Sequence, residues 1–124
     1  MILLDTSALI EALREKGQGD IRARVGSALR SGEAVICEPV LLELYQGARG
    51  AKEIQMVKEY ENVLTQLKCT DQVWKTSFSH AQKLRKKGVT VPNIDILIYS
   101  ISRFYRADLL SCDGHFTKII HALE

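Results

Sequence analysis

The chain has 124 residues, 46% hydrophobic and 26% charged, which is enough for one ordinary core and too little for a second, so residues 1–124 are read as a single domain. A formal net charge of +2 is far below that of a protein that coats itself with nucleic acid, and decides nothing more about partners. No apolar run is long enough to span a bilayer, and Asp5 stands where a secretory leader would be basic, so a cytoplasmic protein with no membrane association is expected.

In chain order, Met1 to Leu4 is a short apolar run, followed by the capping residues Asp5, Thr6 and Ser7 and by helical character from Ala8 to Arg14. A second helix is predicted from Ile21 to Arg30, stopping at Ser31 and Gly32, and then a strand from Ala34 to Cys37. Glu38 and Pro39 break that strand and open a helix from Val40 to Gly47. A longer helix from about Lys52 to Thr65 carries Ile54, Val57, Tyr60, Val63 and Leu64 near a 3.6 period. Leu67 to Thr70 is a weak strand candidate. Asp71 then caps a helix that runs through Trp74, Phe78, Ala81 and Leu84 and stops at Lys86, Lys87 and Gly88. After Pro92 and Asn93, the residues Ile94, Leu97, Ile98, Ile101 and Phe104 mark another helix. Leu109 to Cys112 is a strand, and Asp113 opens the last helix.

Strands alternating with helices predict βαβ units and a parallel sheet covered on both faces. The three cysteines, Cys37, Cys69 and Cys112, form no metal-binding pattern; Cys37 and Cys112 lie in the apolar runs VIC and LLSC, where buried reduced thiols are expected.

Four acids at the edges of apolar segments carry the functional argument. In open parallel sheets, ligands bind beyond the carboxyl ends of the strands. Asp5 and Asp113 follow the first and last predicted strands, Asp95 falls in the first turn of a helix, and Glu43 is the only charged residue between Pro39 and Tyr45. Helix capping explains any one of the aspartates, but not Glu43 inside LLELY. If the four meet, two like charges about 4 Å apart repel by about 4 kcal/mol at an effective dielectric near 20. Set against a folding stability of about 5 to 15 kcal/mol, such a cluster needs a cation. An all-oxygen set, with no cysteine and no well-placed histidine, suits Mg²⁺ or Mn²⁺ rather than Zn²⁺.

The segments MILLDTSALIEAL, EPVLLELYQGAR, NIDILIYSIS and LLSCDGHFTKI, in this order over nearly the whole chain, resemble the PIN domain family. Within that family the chain resembles the toxin nuclease of a VapBC toxin and antitoxin pair. The resemblance implies a three-layer α/β/α sandwich with a four- or five-stranded parallel sheet and a Mg²⁺- or Mn²⁺-dependent endoribonuclease. It also implies RNA as substrate, a cognate VapB-type antitoxin and a homodimer. Position by position, Asp5, Glu43, Asp95 and Asp113 match the catalytic acidic quartet, with Asp5, Asp95 and Asp113 as metal ligands. Thr6, Ser7 and Ser111 match the small hydroxyl residues beside them.

Three departures stand out. His115 precedes Phe116 where relatives often carry a further acid, Tyr99 stands where many have a small residue and is expected to narrow the pocket, and little length remains for a final edge strand. Arg14, Lys16, Arg49, Lys52, Arg85, Lys86 and Lys87 are candidate RNA contacts, though solvated faces and helix dipoles are the better account of most such residues. His80 and His121 read as surface residues, and His115 as a supporting group. Phe78, Trp74, Tyr45 and Tyr60 are candidates for partner surfaces. The rival reading is a catalytically silent domain of the same fold that binds nucleic acid or protein. A receiver-like signalling domain is disfavoured, because no phosphoacceptor aspartate follows a central strand: VIC leads into Glu38.

Overall fold

The computed structural model describes residues 1–13 and 19–124. It contains a four-stranded parallel sheet of order β3-β2-β1-β4, made of β1 (Ile2–Leu4), β2 (Ala34–Cys37), β3 (Thr65–Leu67) and β4 (Asp108–Leu110). Seven helices are described: α1 (Thr6–Leu13), α2 (Gly19–Ser31), α3 (Glu38–Gly47), α4 (Gly50–Val63), α5 (Asp71–Lys86), α6 (Asn93–Phe104) and α7 (Gly114–Leu123). The fold class is the expected one, with four strands.

Three-residue strands hold here because they are buried and paired in register. Leu3 lies between Val35 and Leu109, and Leu3, Leu4 and Ile36 are fully buried. The chain steps from β1 to β2 to β3 in one direction, then returns past both to set β4 on the far side of β1. Connections that run in opposite directions with right-handed crossovers lie on opposite faces. Helix α1 packs on α2 and α3, and α3 on α4, whereas α5, α6 and α7 pack on one another. The reversal between β1 and β4 is the topological switch point where such sheets form their ligand crevice.

Several boundaries differ from expectation for reasons of tertiary pairing. β3 begins at Thr65, not Leu67, because Thr65, Gln66 and Leu67 pair with Val35, Ile36 and Cys37, and α4 therefore ends at Val63. β4 likewise begins at Asp108, whose N–H donates to Met1 O at 3.0 Å, and ends at Leu110. Helix α1 starts at Thr6, directly after Asp5. The cap of α5 is Thr70, whose Oγ1 accepts from Val73 N at 3.3 Å, and Asp71 is instead its first residue. That helix buries Val73, Ser77 and Leu84, leaving Trp74 and Phe78, both candidates for a partner surface, 44% and 60% exposed. Cys37 is a buried free thiol, as expected, while Cys112 is exposed because β4 has ended before it. Gly32 ends α2 with φ +76°, a left-handed conformation that favours glycine.

Candidate active site

Asp5 is the first residue past β1, and its N–H donates to Leu110 O at 3.0 Å, closing the ladder between β1 and β4. Its side chain is buried, with the residue only 3% exposed. Three donors converge on Oδ2: Ser7 Oγ at 2.7 Å, Ser111 Oγ at 2.9 Å and Ser7 N at 3.3 Å. The two serine oxygens lie 3.0 Å apart and also accept from the chain after β4, Ser7 Oγ from Cys112 N and Ser111 Oγ from Asp113 N, each at 2.9 Å. The serine pair thus ties the ends of the two switch-point strands together and fixes Asp5 relative to Asp113.

Asp113 caps α7, its Oδ1 accepting from His115 N at 2.8 Å. Asp95, in the first turn of α6, is 5% exposed. His115 joins them: its Nδ1 lies 2.9 Å from Asp95 Oδ2 and 3.0 Å from Asp113 Oδ1. A nitrogen between two carboxylate oxygens must carry the proton, which assigns the donor role to Nδ1. Asp95, Asp113 and His115 bring potential ligand atoms within 4.8 Å of one another. The expectation of no well-placed histidine is therefore corrected.

Glu43 enters from α3, where Thr6 Oγ1 donates to its Oε1 at 3.0 Å. Its carboxyl is raised above the ordinary glutamate range, first by burial and then by the charges of Asp5, Asp95 and Asp113, with the Thr6 bond opposing. Asp95 is raised as well, by burial first and then by Asp113 and Asp5, with the His115 bond opposing. The four acids thus act electrostatically on one another at one end of the sheet.

Among the described residues, no lysine or arginine pairs with any of the four, and His115 is their one nitrogen-bearing side-chain partner. Mutually repelling carboxylates, two of them buried and two half-buried, are the surroundings that a hard divalent cation relieves, so the donor set fits such an ion.

Other expectations resolve differently. Tyr99 does not narrow this site: its hydroxyl donates to Glu124 Oε2 at 2.8 Å, and it lines a separate cavity with Ile2, Arg24 and Asp108 that none of the four acids lines. His80 is not a surface residue but half-buried between α5 and α6, with Nδ1 2.8 Å from Ser100 Oγ, and burial lowers its pKa. His121 is exposed, and so are Arg49, Lys52, Arg85, Lys86 and Lys87; Arg14 and Lys16 lie outside the described residues.

A family model described as the PIN domain matches residues 2–121. No curated protein matches the chain by sequence. Among solved structures, VapBC-1 from nontypeable Haemophilus influenzae is similar at TM-score 0.77 and 23% identity, over 100% of this chain and 96% of that one. FitAcB from Neisseria gonorrhoeae is similar at TM-score 0.75 and 16% identity, over 97% and 94% of the two chains. VapBC2 from Rickettsia felis, solved bound to a promoter DNA fragment, is similar at TM-score 0.73 and 20% identity, over 95% and 92%. At these identities the likeness is one of fold.

Proposed function

The chain belongs to the PIN domain family, and from that membership we propose that it is a divalent-metal-dependent endoribonuclease, the toxin of a VapBC-type toxin and antitoxin pair. The observation that carries this reading is the meeting of Asp5, Glu43, Asp95 and Asp113 from four separate stretches of chain. A silent binding domain gains nothing from such a cluster, which repels phosphate.

Asp5, Asp95 and Asp113 would hold Mg²⁺, with Mn²⁺ able to substitute. When bound, such an ion polarises a phosphodiester and lowers the pKa of an adjacent water. Ser7 and Ser111 hold Asp5 through Oδ2 and leave Oδ1 outside those contacts. Glu43, fixed at Oε1 by Thr6, has Oε2 with which to orient the attacking water and accept its proton; a raised carboxyl suits that task. His115 keeps the Asp95 and Asp113 carboxylates facing each other, and it can donate to a phosphate oxygen once the pair is otherwise neutralised.

Attack by water would leave a 5′-phosphate and a 3′-hydroxyl. Cleavage of RNA with Mg²⁺ or Mn²⁺ is expected, and its loss with EDTA and in folded Asp5→Asn and Asp95→Asn variants. Cleavage retained in both variants, or a 2′,3′-cyclic phosphate end, would overturn the mechanism.

A cytoplasmic protein follows from this reading; among the described residues no helix is long and apolar enough to cross a membrane. A cognate antitoxin and a homodimer follow too. The apolar groove of about 740 Å³ lined by Pro39, Leu42, Trp74, Phe78, Ile94 and Leu97 is the proposed face for self-association.

A further inference from the structure

A second cleft, of about 640 Å³, lies between the segment Lys87, Gly88, Val89 and Thr90 and the α7 residues Thr117, Lys118, His121 and Ala122. Both walls lead to the acid cluster. The first runs on through Pro92 into α6, where Asp95 sits in the first turn; the second continues the helix that Asp113 caps. His115, Lys118 and Ala122 follow the i, i+3, i+7 spacing that aligns residues on one side of a helix, so the cleft begins about one turn from His115.

The charge pattern is uneven. The segment 72–94 contains Lys75, Lys83, Arg85, Lys86 and Lys87 with no aspartate or glutamate, and α7 contributes Lys118 with none. The chain as a whole is only +2, so the remainder is acidic; of these basic residues Lys87 and Lys118 line the cleft. A helix dipole accounts for Lys83, Arg85 and Lys86 in the last turn of α5, but not for Lys118 in the middle of α7. The nearest acid beyond α7, Glu124, is held by Arg103 and Tyr99. Thr90 and Thr117 add hydroxyls, and among the described residues no Phe, Tyr or Trp lines the cleft, His121 supplying its one ring.

We propose that this cleft, with Lys118 and His121 on one wall and Lys87 and Thr90 on the other, is the track along which a single RNA strand is held by its phosphates as it leaves the acid cluster. The proposal rests on the ribonuclease reading and names where the substrate is gripped. Lysines and hydroxyls contact the backbone, and with no Phe, Tyr or Trp in the lining to stack bases, binding here depends little on sequence. Lys87 Nζ already donates to Ala122 O, so it also ties the walls together; Lys118 is the cleaner probe.

The test is binding of a labelled single-stranded oligoribonucleotide to the full chain in EDTA, across a salt series. Each phosphate contact on a single strand contributes about 0.7 to the slope of log affinity against log salt. Lys118→Ala should lower the slope by about 0.7 and weaken binding similarly for oligomers of different sequence, with Lys118→Arg restoring both. Lys58→Ala on α4 should change neither. If the wild type cleaves RNA while Lys118→Ala keeps its slope and affinity, the track is wrong and the ribonuclease reading stands. A wild type that neither binds nor cleaves RNA overturns both.

Discussion

Asp95 illustrates how far a single buried charge can be followed. Burial and neighbouring negative charge raise Asp95 and Glu43 in the folded protein from ordinary values of 3.8 and 4.5. A raised carboxyl contributes stability that is fully present below its unfolded pKa and is lost as pH rises through the folded value. The metal-free protein therefore loses that contribution as pH rises. Asp95→Asn removes one charge and keeps an acceptor for His115, so it should melt higher than the wild type at pH 7 without metal, by about 2 to 8 °C for each kcal/mol relieved. The gap should shrink towards pH 4, and the stabilising effect of added Mg²⁺ should be lost. Calorimetry on the two proteins checks this, and an unchanged or lower melting point at pH 7 counts against a tight cluster.

Ser111 makes a second prediction at this scale. Its hydroxyl donates to Asp5 and accepts from Asp113 N, so Ser111→Ala leaves one polar partner short at each end. A loss of about 1 to 3 kcal/mol in urea unfolding is expected, with reduced cleavage. Asp5 and Glu43 were legible as members of the acid cluster because each is an acid in apolar sequence. His115 was read only as a supporting group, because its bond to Asp95 depends on Nδ1 reaching across 20 positions, which the packing of α6 on α7 decides.

At the scale of elements, local chemistry fixed ends better than faces. Gly32 and the Glu38–Pro39 pair marked boundaries in the sequence because backbone conformation is set by the residue itself. On α5, Trp74 and Phe78 obey a helical period while pointing outward; period alone does not say which partner a stripe has. β3 was displaced by two residues because polar Thr65 and Gln66 join the sheet through pairing with β2, which leaves no hydrophobic trace. The cap at Thr70 gives an independent check. Thr70→Ala should cost about 1 kcal/mol in chemical denaturation while leaving cleavage unchanged, since Thr70 supports only the start of α5. Equal stability would show that Asp71 acts as the cap instead.

For the whole molecule, alternating strands and helices predicted a parallel sheet, but strand order was hidden. Nothing in the residues of β4 states that it returns to the open side of β1, and that return alone sets Asp5 beside the serine network and Asp113. The same architecture leaves large apolar side chains outside the core: Leu42, Trp74 and Phe78, at 65%, 44% and 60% exposure, gather on the groove of α3, α5 and α6. Scattered exposed apolar residues need no partner, whereas a contiguous set marks an interface. Phe78→Glu tests which applies. With Phe78 largely exposed in one copy of the chain, the charge should change monomer stability by no more than about 0.5 kcal/mol. If the groove is buried between two copies, the same charge is placed in an apolar contact and cannot be solvated there. Sedimentation velocity should then show a wild-type dimer become a monomer with unaltered secondary structure. A Phe78→Glu protein that still sediments as a dimer would move the self-association face elsewhere on the surface.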